Sequence, residues 1–145
     1  MKKWNVPLTY EPKIPKVISG ECTQTIRTGR KYRVGDLIRF YTWEGRPYHS
    51  KRRTITPYFE IDQIMDMRIF NDIVWIENPN IKQIVLFGKL YKKGDWHPWR
   101  DLNWLANLDG INPPTGEELG KVLMSKNKIP ASGIEAQIVR WRFEK

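Results

Sequence analysis

A chain of 145 residues carrying a net charge of +9 has the length of one domain, 1–145, able to bury about two-thirds of the surface that its unfolded form exposes. A single cysteine, Cys22, excludes an internal disulfide, and with only His49 and His97 beside it no zinc-type ligand spacing exists, so neither a metal nor a cofactor is expected. No run of about 18 apolar residues occurs, and the opening MKKWNVPL lacks the apolar stretch of a secretion signal, which implies no membrane segment and a cytoplasmic protein.

In chain order, Pro7, Pro12 and Pro15 fix backbone angles and predict a mostly extended start, with an early strand or arm. Lys16 to Ser19 can make one or two helical turns that Gly20 would stop in a left-handed conformation. Thr23, Thr25 and Arg27 alternate with Gln24 and Ile26, the period of a strand. After a turn at Gly35-Asp36, the β-branched and aromatic run Leu37 to Trp43 reads as another strand. Glu44 to Thr54 holds Gly45, Pro47 and three successive basic residues; it reads as a loop, either a solvated connection or a contact surface.

Beyond Pro57 come three strand-like stretches, YFEIDQIMDM, IFNDIVWI and IKQIVLFGKLY, with Asn78-Pro79-Asn80 as a turn between the last two. Antiparallel strands joined by short turns predict a small closed or half-closed barrel. The loop GDWHPWR, with Trp96, His97 and Trp99, reads as a packed lid or a rim touching ligand. Helical spacing in DLNWLANLDG ends at Gly110, and Thr115 followed by Glu118 is a capping-box signature for a second helix, GEELGKVLMSK. EAQIVRWRF then reads as a last strand returning to the sheet. The two helices are an insertion before that strand.

Positive charge is not spread evenly. From Gly20 to Arg53 there are nine Lys or Arg against Glu21, Asp36 and Glu44, a net +6 of the whole-chain +9. Such concentration attracts a polyanion, most commonly nucleic acid. Arg30, Lys31, Lys51, Arg52 and Arg53 are either a solvated face or phosphate contacts. Tyr41, Trp43 and Tyr48 stand near enough in sequence to stack on unpaired bases, which points to single-stranded or looped RNA. No recognition-helix pattern for duplex DNA is present.

The run Ser19-Gly20-Glu21-Cys22-Thr23-Gln24-Thr25-Ile26-Arg27, followed by Tyr32-x-Val34-Gly35-Asp36, resembles the ASCH domain, a PUA-like family. Later pieces agree in order: Ala106 to Ile111, Glu117-Glu118-Leu119 and Ile138-Val139-Arg140-Trp141, so the likeness spans most of the chain, and it is greatest to the small ASCH proteins of phages and archaea. The resemblance implies an α+β fold, a PUA-like small β-barrel with helices at its mouth, and RNA or a modified nucleoside as partner. One branch hydrolyses acetylcytidine with a Lys, a Thr and a Glu. Their Thr falls on Thr25 and their Glu on Asp109, one methylene shorter, but their Lys falls on Cys22.

That departure bears on chemistry, because a Thr hydroxyl needs a neighbouring base before it attacks an amide. Cys22 is a nucleophile only if a cation or helix end lowers its pKa, and otherwise is packing material. Arg27 either holds a phosphate or base edge, or is a structural arginine tied to a carboxylate such as Asp36. Asp109 either faces a ligand or simply precedes the helix stop. The expectation is an RNA-binding module with Thr25, Arg27 and Asp109 around a cleft and the basic loop along the phosphates. A small hydrolase centred on Thr25 and Asp109, and a phage-type protein-interaction module using the tryptophans, are the rival readings.

Overall fold

The chain forms an α+β fold, an eight-stranded mixed sheet with three helices, in a computed structural model that describes residues 1–46, 49–77, 83–86, 89–92 and 94–143. The proline-spaced start is extended and becomes β1 (Lys3–Pro7). A 3-10 turn at Glu11–Lys13 runs into α1 (Ile14–Ser19), which Gly20 ends at φ 85°. A Cβ on Gly20 would lie 2.5 Å from the Phe143 ring, so the closing segment of the chain packs on the place where only glycine fits.

β2 (Gln24–Thr28) and β3 (Leu37–Trp43) follow. β1 lies parallel to β3, with Lys3 opposite Leu37 and Pro7 opposite Tyr41, so the sheet is not purely antiparallel as the short turns suggested. Asp36 supplies the reason. Its carboxylate accepts from the Lys2 N–H (2.9 Å), from Trp4 Nε1 (3.0 Å) and from the Arg33 N–H (3.2 Å), which anchors the first strand to the turn before the third.

The segment expected as a loop after Trp43 folds back instead, and β4 (Arg52–Thr54) pairs antiparallel with β3, Trp43 opposite Arg52. The Glu44 N–H donates to Lys51 O (2.9 Å) and the Gly45 N–H to Ser50 Oγ (3.0 Å), and these bonds close the hairpin. Tyr48 and the turn Asn78-Pro79-Asn80 lie outside the described residues. β5 (Phe59–Ile69), β6 (Ile73–Glu77), β7 (Gln83–Leu86), β8 (Lys89–Lys92) and β9 (Gly94–Pro98) continue the chain, with β7 and β8 forming a separate antiparallel pair. β9 corrects the reading of GDWHPWR as a loop: it pairs with β6, Trp75 opposite Trp96, and only Trp99 begins a 3-10 turn.

α2 (Asn103–Leu108) and α3 (Gly116–Lys126) precede β10 (Ile134–Trp141), the insertion before the last strand that the helical spacing implied. Thr115 Oγ1 accepts from the Glu118 N–H (3.2 Å), half of a capping box. The sheet runs β1-β3-β5-β10-β2, with β4 on β3, β6 on β5 and β9 on β6. Among the described residues no backbone ladder joins β1 to β2, so the barrel is not closed. The two edges are nonetheless neighbours, because Arg27 Nη2 on β2 donates to Pro7 O on β1 (2.8 Å).

β10 divides two cores by its alternation. Ala136 and Ile138 join Ile26, Met67 and Ile76 to Leu102, Leu105 and Leu119 on the helical side. Val139 and Trp141 face the other way, onto Val6, Ile38, Phe40 and Ile61. Trp141 lies nearly parallel to Phe59 (centroids 5.9 Å) and tilted against Phe40 (5.0 Å). Burying each such apolar side chain contributes about 1.5–3 kcal/mol. Among the described residues no helix is long and apolar enough to cross a membrane.

Candidate functional site

Strand alternation on β2 puts Thr25 opposite Val139 and Arg27 opposite Gln137, on the face of the second core. Thr25 is only 2% exposed and Arg27 is half-buried. Thr25 Oγ1 accepts from Arg27 Nε at 3.1 Å. A guanidinium there can steady negative charge on the hydroxyl oxygen but, staying protonated, cannot take its proton. Burial pulls the Arg27 pKa down, while Tyr32, Asp109 and Tyr41 act to raise it. The structural partner considered for Arg27, Asp36, is not the one found: Arg27 reaches Pro7 O and Thr25, and Asp36 holds the first strand.

Asp109 follows α2, its N–H bonded to Leu105 O (2.9 Å), and the chain turns at Gly110 with φ 74°. A Cβ on Gly110 would sit 3.3 Å from Lys13 Cγ and 3.4 Å from Cys22 Sγ, so the turn brings all three together. Lys13 Nζ lies 3.1 Å from Asp109 Oδ1, with both side chains buried. Burial pushes the Asp109 carboxyl up, and Lys13, Gln24 and Arg27 oppose it. The Cys22 thiol is also raised by burial, with Lys13 the first opposing influence, and it donates to Gln24 O (3.3 Å) and Leu108 O (3.4 Å). A buried thiol with a raised pKa is poorly placed to form a nucleophilic thiolate.

Thr25 and Arg27 bond to each other and Asp109 acts electrostatically on Arg27, but Thr25 and Asp109 are buried rather than lining an open hollow. Lys13 was not legible as the partner of Asp109. Lying between Pro12 and Ile14, it carries no local signal, and only the fold brings it to Asp109.

The exposed positive charge forms a second region. Arg52 lies over the Tyr41 ring (4.7 Å) and the Trp43 ring (5.3 Å), which meet edge to face at 5.5 Å. Tyr41 is 8% exposed, so it is a floor beneath Arg52 rather than the open stacking platform that its place in the sequence suggested. Arg39 and Lys3 lie over Tyr58 (4.6 and 5.4 Å), and Arg39 Nε donates to Asn5 Oδ1. Tyr58 was missed because its neighbours come from β1 and β3. Lys51 and Arg53 are exposed, and Arg53, opposite Thr42, alternates with Arg52 along β4.

Arg30 and Lys31 belong elsewhere. They line a cleft of about 830 Å³ with Lys128, Asn127 and Gln137, whose walls do not include Thr25 or Asp109. Arg30 also lies over Trp4 (5.7 Å), which packs on Tyr32 (4.8 Å). Among the described residues no three of His, Cys, Asp and Glu gather as metal ligands would. Comparisons with protein-family models, with curated proteins and with solved structures return no match.

Proposed function

We propose that this protein is an RNA-binding module of PUA-like, ASCH-type architecture, holding single-stranded or looped RNA against the surface of β1, β3 and β4. One observation carries the reading: exposed Arg52 lies on two aromatic rings at once, with Arg39 repeating the pairing over Tyr58. Rings beneath a guanidinium hold its plane, so that its outer face can stack on a base while its edge N–H groups bind phosphate. Arg39 and Tyr41 are two residues apart along β3, roughly 7 Å.

Titration with a short single-stranded RNA at rising salt tests this. Affinity should fall linearly on a log–log plot, with a slope of about −0.7 for each phosphate neutralised. Lys51→Ala/Arg52→Ala/Arg53→Ala should remove most of the affinity and flatten the slope; an unchanged slope would rule the surface out.

A second reading, hydrolysis of an acylated nucleoside or an RNA strand, is favoured by Lys13, whose ammonium stands beside Asp109 although Cys22 occupies the position of the lysine in the resembling branch. Product released from an acetylated nucleoside, and lost in Thr25→Ala, would replace the binding reading with this one. No product would retire it.

A further inference from the structure

The cluster at the β1–β2 seam holds more positive than negative charge. Lys13, Arg27 and Lys126 bring three cations near one carboxylate, Asp109. Lys13 and Asp109 neutralise each other at 3.1 Å in the interior, which leaves Arg27 and Lys126 without an acidic counterpart in that group. Lys126 ends α3, where a cation is ordinarily steadied by the helix dipole and left in water. Here it turns towards the seam, donating from Nζ to Thr9 Oγ1 at 2.8 Å, a neutral hydroxyl.

Thr9 lies two residues after Pro7, whose carbonyl takes Arg27 Nη2, so the two cations approach the same short stretch of chain from β2 and from α3. Partial desolvation lowers the Lys126 pKa first, and the positive charges of Arg27 and Lys13 push it the same way, with Asp109 opposing. The bonds from Arg27 to Thr25 and Pro7 use two of the five N–H groups of a guanidinium. Two cations directed at one short stretch of chain, each with N–H groups beyond those bonds, suit an anion that accepts from both.

We propose that Arg27, Lys126 and the Thr9 hydroxyl form a seat for one phosphate group at the β1–β2 seam, taking the terminal phosphate of an RNA strand. The source of that phosphate rests on the RNA-binding reading, since Pro7 is paired with Tyr41 and Tyr41 lies under Arg52, so a strand on the exposed surface leads to the seam. Lys13, Thr25 and Asp109 are buried and so offer a strand no exposed surface on which to run on, which makes the bound group an end rather than an internal link.

The test compares hexauridylate with and without a 5′ or 3′ phosphate, and inorganic phosphate, binding to the full chain. A terminal phosphate should strengthen binding about tenfold or more, the worth of one charge-assisted contact. Lys126→Gln and Thr9→Val, both at exposed positions, should erase most of that preference, and Lys126→Arg should keep it. Arg52→Ala should weaken phosphorylated and unphosphorylated strands alike and leave their ratio intact. If strands bind with equal affinity whatever their ends, or if Lys126→Gln leaves the ratio unchanged, the seat is overturned while the RNA-binding reading stands. If inorganic phosphate binds, Lys126→Gln abolishes it and no strand binds, the seat serves free phosphate, and both the strand-end assignment and the RNA-binding reading fall.

Discussion

Arg52 and Arg27 carry the same guanidinium into opposite settings. Arg52 is exposed on a three-residue edge strand, supported from beneath by two rings and facing water. Arg27 is half-buried, spans two strands through Pro7 O and shares its cluster with the buried pair Lys13 and Asp109. An exposed cation on aromatic rings costs the fold little to keep and little to lose, so its position reports on binding. A cation among buried charges is bound up with stability, because a charge left unpaired in the interior is costly. Being basic is not by itself a functional signal in this chain; the surroundings decide what each basic residue does.

The sharpest way to break this contrast is at the interior pair. Asp109→Asn leaves the Lys13 ammonium buried without its counter-charge and should cost about 3–5 kcal/mol, read from urea unfolding midpoints. Lys13→Met/Asp109→Leu, which removes both charges, should recover most of that loss. A single-mutant cost below about 1 kcal/mol would mean that water reaches the pair, and the division into two regions would fail.

Next in size is Asp36→Asn, which weakens three hydrogen bonds to a buried carboxylate and should cost about 2 kcal/mol. Burial alone would raise this carboxyl; the Lys2 N–H, the Trp4 indole and the Arg33 N–H bring it below its usual value. A carboxyl depressed in the folded state stabilises above its unfolded pKa, about 3.9, and that stability is lost as pH falls through the lower folded value. The variant should therefore show a flatter decline in stability on the acid side, measured by thermal unfolding from neutral pH downward. An unchanged acid limb would remove Asp36 from the account of how β1 is anchored.

The smallest effects fall on the exposed side. Arg52→Ala should weaken single-stranded RNA binding about tenfold, within the range of one stacked base, yet shift stability by no more than about 0.5 kcal/mol. A stability loss as large as that of Asp36→Asn would make Arg52 structural after all, and the comparison would have to be redrawn.

What could be read from the residues alone was what is local. Gly20 stops α1, and Thr115 caps α3 through the Glu118 N–H, because each signal lies within a few residues of its effect. The strand from Leu37 to Trp43 was legible for the same reason. The parallel pairing of β1 with β3 was not, since it depends on Asp36 reaching Lys2 and Trp4. β4 and β9 were taken for loops because one is only three residues long and the other contains His97 and Pro98; both exist through their partner strands. Thr25, Arg27 and Asp109 were legible as candidates, but the burial of Thr25 and Asp109 and the pairing of Asp109 with Lys13 come from the fold and leave no local mark.

The bridge from Arg27 to Pro7 also bears on what the molecule does in company. Among the described residues two sheet edges lie side by side without a shared ladder, and unpaired edges invite a strand from another chain to add itself. Lys2 and Lys3, the proline in β1 and the guanidinium across the gap all discourage such a guest. Removing Arg27 should thus show itself as turbidity in a concentrated sample, beyond whatever loss of folded protein is measured in a dilute one.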